Sequence, residues 1–275
     1  MKVSKITEIR KFVKNADILG THEAVERTTG VSHVVFTYII DDKTVSGFLS
    51  YPKTISNKLP VIIYNRGGSF DFGLVDDNFM LGFLTQLASW GYFVIGTQYP
   101  GNHISEGVDE FGGSDVRSVL DLKKIIDQLS FLDNKRIGML GHSRGGMMTY
   151  LCMQQVNWIK TALTIGGMSN LQSVLGFRSE MKQVYSKAFG STQSGIAKRS
   201  VINWVDELDK SSSLCIMHGA ADRRVLAKDS VKLASKLDEI GYDYSLHVLE
   251  DGNHYLTSHH DLSQAIIKDW FFKKL

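Results

Sequence analysis

Apolar and polar positions along this chain change period several times, and each change marks an element. The stretches HVVFTYII (33–40) and TVSGFLSYP (44–52) are rich in β-branched and aromatic residues and read as strands. Asp41-Asp42-Lys43 between them is turn chemistry, so the two strands form a hairpin. LPVIIYN (59–65) is a short apolar run without alternation, the signature of a strand buried on both faces. The rhythm then becomes regular. NFMLGFLTQLASWG (78–91) is expected as a helix ending at Gly91, and YFVIGTQ (92–98) as a strand. In 114–132, Val116, Val119, Leu122, Ile125, Ile126 and Leu129 recur at helical spacing. RIGMLG (136–141) reads as a strand, GGMMTYLCMQQV (145–156) as a helix, and IKTALTIGG (159–167) as a strand.

Residues 168–209 break this alternation and read as helical and loop-rich. It resumes with strand 213–219, helix 227–241, strand 244–250 and a last helix over LSQAIIKDWFFKKL. Strands alternating with helices predict an α/β fold: a mostly parallel sheet covered on both faces, preceded by the antiparallel hairpin. The expected organisation is a single domain over 1–275. A polar leader occupies about 1–30 and an inserted cap about 168–209. In such sheets ligands bind beyond the carboxyl ends of the strands.

Composition narrows the class. Hydrophobic residues are 43% of 275 and the net charge is +2, as for a globular chain with a sizeable core. Nearly balanced charge argues against a nucleic-acid partner. No run approaches about 18 uninterrupted apolar residues, so no membrane span is expected. The opening MKVSKITEIRKFVK lacks an apolar core with a small-residue cleavage site, and is not expected to be a secretory signal. Cys152 and Cys215 lie in apolar segments and are expected to be free, buried thiols of a cytoplasmic protein. No metal or cofactor is expected, because neither a phosphate-binding loop nor a His-Glu-x-x-His pair is present. The expected partner is a small-molecule or short-peptide substrate; the oligomeric state is left open.

The candidate chemistry centres on Gly141-His142-Ser143-Arg144-Gly145. Gly-x-Ser-x-Gly alone is weak, since a chain this rich in Gly and Ser yields roughly 0.2 matches by chance. Its position is more informative: Ser143 follows a strand directly and opens a helix, the setting of a nucleophile elbow. A serine nucleophile needs a base, and nine histidines are available. The chain order nucleophile, acid, base selects His254, just after strand 244–250. His218 comes too early and is expected to pack and hydrogen-bond near the loop; His247 lies inside a strand. The same order selects Asp222 in HGAADRRV as the acid, with Asp251 and Glu250 as rivals. The oxyanion donors are expected from the backbone N–H of Arg144 and from Gly67-Gly68 in the loop YNRGGSFDFG.

These stretches, together with GFLSYPK, SEGVDEFGGSDVRSVLDL and KRSVINWVDEL, resemble the α/β-hydrolase fold and, more narrowly, the catalytic domain of the prolyl oligopeptidase family of serine peptidases. The resemblance spans most of residues 36–258 and implies Ser143, Asp222 and His254 as the triad. Two departures stand out. Oligopeptidase and dipeptidyl peptidase members carry a gating β-propeller, for which this chain has no room, so it resembles the short, stand-alone members. Where several relatives carry Tyr before the Gly-Gly pair this chain has Arg66, and Arg144 replaces the Tyr or Asn often found after the nucleophile. Arg66 and Arg144 either bind a substrate carboxylate or brace the loop. Three functions follow: a serine hydrolase of short peptides; a carboxylesterase with the same chemistry, favoured by the missing size filter; and a catalytically silent binding domain, disfavoured because every triad position is filled.

Overall fold

The computed structural model describes residues 16–21 and 29–275. The remainder of the expected leader lies outside the described residues. Nine strands form one sheet in the order β1-β2-β3-β5-β4-β6-β7-β8-β9. They are β1 (Ala16–Thr21), β2 (Val31–Ile40), β3 (Lys43–Pro52), β4 (Leu59–Asn65), β5 (Phe93–Thr97), β6 (Leu132–His142), β7 (Thr161–Ile165), β8 (Ser213–Gly219) and β9 (Tyr244–Leu249). The first three strands and β5 pair antiparallel; β5, β4 and β6 through β9 are parallel. The β2–β3 hairpin closes at Ile40 and Lys43, with Asp41 and Asp42 both at positive φ, 47° and 63°. That two-residue turn matches the strand twist.

Strand β1 was not expected: it falls inside the polar leader and pairs antiparallel with β2. Only the hydrogen-bonding edge of β2 recruits it, and no local pattern encodes that. The helices are α1 (77–89), α2 (116–126), α3 (Arg144–Gln155), α4 (Leu171–Phe177), α5 (Met181–Phe189), α6 (Gln193–Lys198), α7 (Ala227–Glu239) and α8 (His260–Lys274). The long helix expected over 114–132 is shorter, interrupted at Asp121 and finished by 126. Leu132 already belongs to β6, paired with Leu59. Ladder pairing there outweighs the helical periodicity of Leu129.

The two sides of the sheet explain the apolar run of β4. Val61 and Ile63 face one core with Ile137, Met139, Val119 and Met147, all at or near full burial. Ile62 and Tyr64 face the other, with Leu84, Leu87, Ile267 and Phe271. Period-two alternation between two apolar layers yields a continuous apolar sequence.

Candidate active site

Ser143 sits between β6 and α3, at φ 58° and ψ −118°, a backbone conformation costly for a residue with a Cβ. Three hydrogen bonds hold it there: Ser143 N–H donates to Ile165 O at 2.9 Å, and Ser143 O accepts from Gly146 N–H at 3.0 Å and Met168 N–H at 3.1 Å. The turn works only because α3 approaches β4 closely. A Cβ on Gly145 would lie 1.8 Å from Asn65 O, inside any permitted contact. The neighbouring Asn65 side chain reinforces the approach by donating to Thr149 Oγ1 at 2.9 Å. The hydroxyl-bearing Ser143 is thereby placed at the carboxyl end of a central strand, 8% exposed, on the wall of a cavity.

Asp222 and His254 meet although 32 residues apart. Asp222 Oδ2 accepts from His254 Nδ1 at 2.7 Å. Its other oxygen, Oδ1, accepts from the N–H groups of Arg224 (2.7 Å) and Val225 (3.0 Å), which aim the carboxylate. His218 adds a partner: its Nε2 lies 3.1 Å from Asp222 Oδ2 and 2.9 Å from Val225 O, while Nδ1 pairs with Ser230 Oγ at 2.7 Å. Burial pushes the Asp222 carboxyl up, but the hydrogen bonds from His218 and His254 outweigh it and hold it well below the usual range. The carboxylate therefore stays ionised and orients the imidazole so that Nε2 is free. Asp251 and Glu250 are exposed and have no hydrogen bond to His254 among the described residues. Ser143 and His254 line the same cavity without a hydrogen bond between their side chains among the described residues.

His142 was not singled out by sequence. Its Nε2 donates to His254 O at 3.0 Å, and its ring stacks on Tyr255 with centroids 5.2 Å apart. Burial, followed by the proximity of His254, lowers its pKa to about 4. It is neutral at physiological pH and clamps the backbone of His254.

The loop 66–73 passes directly over Ser143. A Cβ on Gly67 would lie 3.3 Å from Ser143 Cβ. Gly68 has φ +78°, and a Cβ there would lie 1.9 Å from Phe72 O. The N–H groups of Gly67, Gly68 and Arg144 make no hydrogen bond among the described residues, so all three remain available as donors.

The two arginines resolve into braces. Arg66 is 1% exposed, and all five of its N–H donors are taken by backbone carbonyls. Nε and one NH2 hydrogen reach Gln98 O, at 3.1 and 2.8 Å; NH1 reaches Gly67 O at 3.0 Å and Phe72 O at 3.2 Å; NH2 also reaches Phe70 O at 2.9 Å. Arg66 borders the cavity, but no donor is left for a substrate, which corrects the substrate-binding expectation for it. The Arg144 guanidinium points away from Ser143 into the interior. It pairs with both oxygens of Asp109, by NH1 at 2.7 Å and by NH2, and with Asp115 Oδ2 at 2.9 Å. Tyr99 and Phe111 cover its faces at 4.7 and 4.5 Å. Burial lowers the Arg144 pKa, but the two carboxylates more than restore it; Asp109, in turn, is held below its usual range by Arg144 despite burial. Asp109 also accepts from Phe70 N–H at 3.0 Å, tying the same loop to the network.

Comparison with known proteins shows the family and the fold. The Peptidase_S9 model, described as the prolyl oligopeptidase family, matches residues 83–275. The chain belongs to this family of serine peptidases, and is a hydrolase. It is 25% identical over 208 residues to the uncharacterized peptidase YtmA of Bacillus subtilis (strain 168), covering 74% of this chain and 78% of that protein. It is 26% identical to the probable dipeptidyl-aminopeptidase B of Trichophyton verrucosum (strain HKI 0517), over 78% of this chain but 25% of that one. The acylaminoacyl peptidase of Pyrococcus horikoshii superposes with TM-score 0.75 and 20% identity over 92% of this chain and 43% of its own. A puromycin-hydrolyzing peptidase of Mycobacterium tuberculosis gives TM-score 0.73 and 18% identity, over 88% and 39%. The chain thus spans a quarter to less than half the length of these three larger proteins, and the structural likeness carries the α/β-hydrolase fold.

Proposed function

We propose that this chain hydrolyses short peptides and related acyl substrates through an acyl-enzyme intermediate, with Ser143 as nucleophile, His254 as base and Asp222 as the orienting acid. The observation that carries this reading is the 2.7 Å pair between Asp222 Oδ2 and His254 Nδ1, set at the cavity onto which the strained Ser143 turn opens. Ser143 Oγ attacks the acyl carbonyl while His254 Nε2 takes its proton. The oxyanion is held by the N–H of Arg144 and by N–H groups of Gly67-Gly68. His254 then protonates the leaving amine, and water repeats the sequence to free the acid. The cavity measures about 190 Å³ and opens to solvent beside Ser143 and His254. Met168, Arg178 and Met181 on its wall support the reading of 168–209 as a small cap of the same domain.

No helix among the described residues is long and apolar enough to cross a membrane. A cytoplasmic location fits the two free, buried cysteines, whose thiols burial pushes up, Cys215 to about 12.

Fluorophosphonate labelling tests the nucleophile: the native chain should label and Ser143→Ala should not. Equal labelling removes Ser143 from this role. Parallel assays with peptidyl anilides and p-nitrophenyl esters test the substrate. Turnover of esters alone would replace the peptidase reading with a carboxylesterase; no labelling at all would leave a binding domain.

A further inference from the structure

Four arginines surround the site, and their guanidinium groups are not in the same state. Arg66 and Arg144 are buried and committed to carbonyls and carboxylates. Arg224 and Arg178 line the cavity and are part-exposed. The Arg224 guanidinium has neither a hydrogen bond nor an ion pair among the described residues. It lies over the rings of Tyr255 and Phe72, at 5.4 and 5.9 Å, and both rings also line the cavity. Among the described residues Arg178 donates only its Nε, to Glu180 Oε1 at 2.8 Å, which leaves both terminal nitrogens without an acceptor there. Glu180 is itself 63% exposed by side chain and does not line the cavity.

Among the described residues no carboxylate lines this cavity. Asp222, which holds His254, and Asp109, which holds the loop at Phe70, are spent on histidines and on Arg144. Besides Ser69, Ser143 and the two histidines, the wall carries an apolar patch of Tyr64, Val75, Phe79, Phe111, Met168 and Met181. A free α-ammonium entering here would meet the unpaired Arg224 and the part-satisfied Arg178, with no carboxylate among the lining residues to receive it. A carboxylate would meet planar, multi-donor partners whose geometry matches it, at the edge of an apolar pocket.

From this asymmetry we infer that the site selects acyl substrates that carry a carboxylate beside an apolar side chain, within about one residue of the scissile bond, and discriminates against a free amino terminus. The inference rests on the hydrolase reading above and specifies its substrate class. The carboxylate sits either on the acyl side or on the leaving group; the chemistry recognised is the same.

The test compares p-nitroanilides of phenylalanine bearing an N-succinyl, an N-acetyl or a free amino group. A second pair, acetyl-Phe-Gly with a free or an amidated carboxyl terminus, places the charge on the leaving side. At low ionic strength at least one anionic substrate should exceed its neutral partner in kcat/KM on the order of tenfold, with the free amine slowest. The advantage should shrink as salt rises. Arg224→Glu should reverse the order, so that the free amine overtakes the succinyl compound whatever the change in absolute rate. A neutral or amine-bearing substrate that matches both anionic ones in the native chain, or an order unchanged by Arg224→Glu, overturns the inference. Failure of Ser143 to label with fluorophosphonate would instead overturn the hydrolase reading. If Ser143 labels but anilides turn over too slowly to rank, succinyl-phenylalanine amide must slow labelling more than acetyl-phenylalanine amide, and equal protection overturns the inference.

Discussion

The interior behind Ser143 and the cavity in front of it use the same residue type in opposite ways. Behind it, Arg144, Asp109 and Asp115 form a fully buried ionic cluster, and Arg66 is enclosed by loop carbonyls. Charge there is matched, geometry is fixed, and the cluster holds the loop that carries Gly67-Gly68. In front, Arg224 and Arg178 keep donors free at a part-exposed wall. A buried charge must be paired to be tolerated, whereas an exposed one can wait for a ligand. Burial, rather than nearness in sequence to Ser143, separates the bracing arginines from those that keep donors free.

The largest expected effect probes what both regions serve. Asp222→Asn should lower kcat by about 10⁴, because the imidazole loses its enforced tautomer. A near-native rate in a steady-state assay would reassign the acid to Asp251. Next comes the buried side of the comparison. Arg144→Met keeps the backbone N–H but leaves Asp109 and Asp115 unpaired, and should cost about 3–5 kcal/mol in denaturant unfolding. A cost below about 1 kcal/mol would show that the cluster is not what holds the interior.

A smaller effect is expected at His142, between the two regions. Unfolded, it titrates near 6.5; folded, at about 4. Between these values the unfolded chain binds more protons, so stability falls as pH falls from about 6.5 to about 4. The loss should be on the order of 1–3 kcal/mol, discounted for partial exposure, and absent above that window. His142→Gln should flatten this part of the stability–pH curve; an unchanged slope would place the titration elsewhere. Asp222, held below its usual range, stabilises the fold at neutral pH and loses that contribution as pH falls below the usual carboxylate range. The smallest effect is at the open wall: Arg224→Gln should alter stability by less than about 1 kcal/mol, its ring contacts being all it gives up. A cost matching that of Arg144→Met would erase the distinction between the regions.

Much of the fold was legible because it is written locally. The hairpin is announced by Asp41-Asp42, the buried strands by their apolar runs, and the Ser143 turn by glycines at 141 and 145. Asp222 and His254 could be named because strand order fixes which loops reach the site. Asp109 and Asp115 could not: they lie 35 and 29 residues from Arg144 in a glycine-rich loop with no period of its own. His218 as a second partner of Asp222, and His142 as a clamp on His254, likewise depend on side-chain direction in space. β1 escaped because an edge strand is recruited by its neighbour's unpaired backbone, which polar residues supply as well as apolar ones.

By itself, then, the sequence determined the alternation of strand and helix, the sharp turn at Ser143 and the order of candidate residues, all set by short-range sterics and hydrophobic period. Tertiary structure alone decided which charges are paired. The fate of Arg66, Arg144, Arg178 and Arg224 depends on burial and on partners distant in the chain, and both are properties of packing.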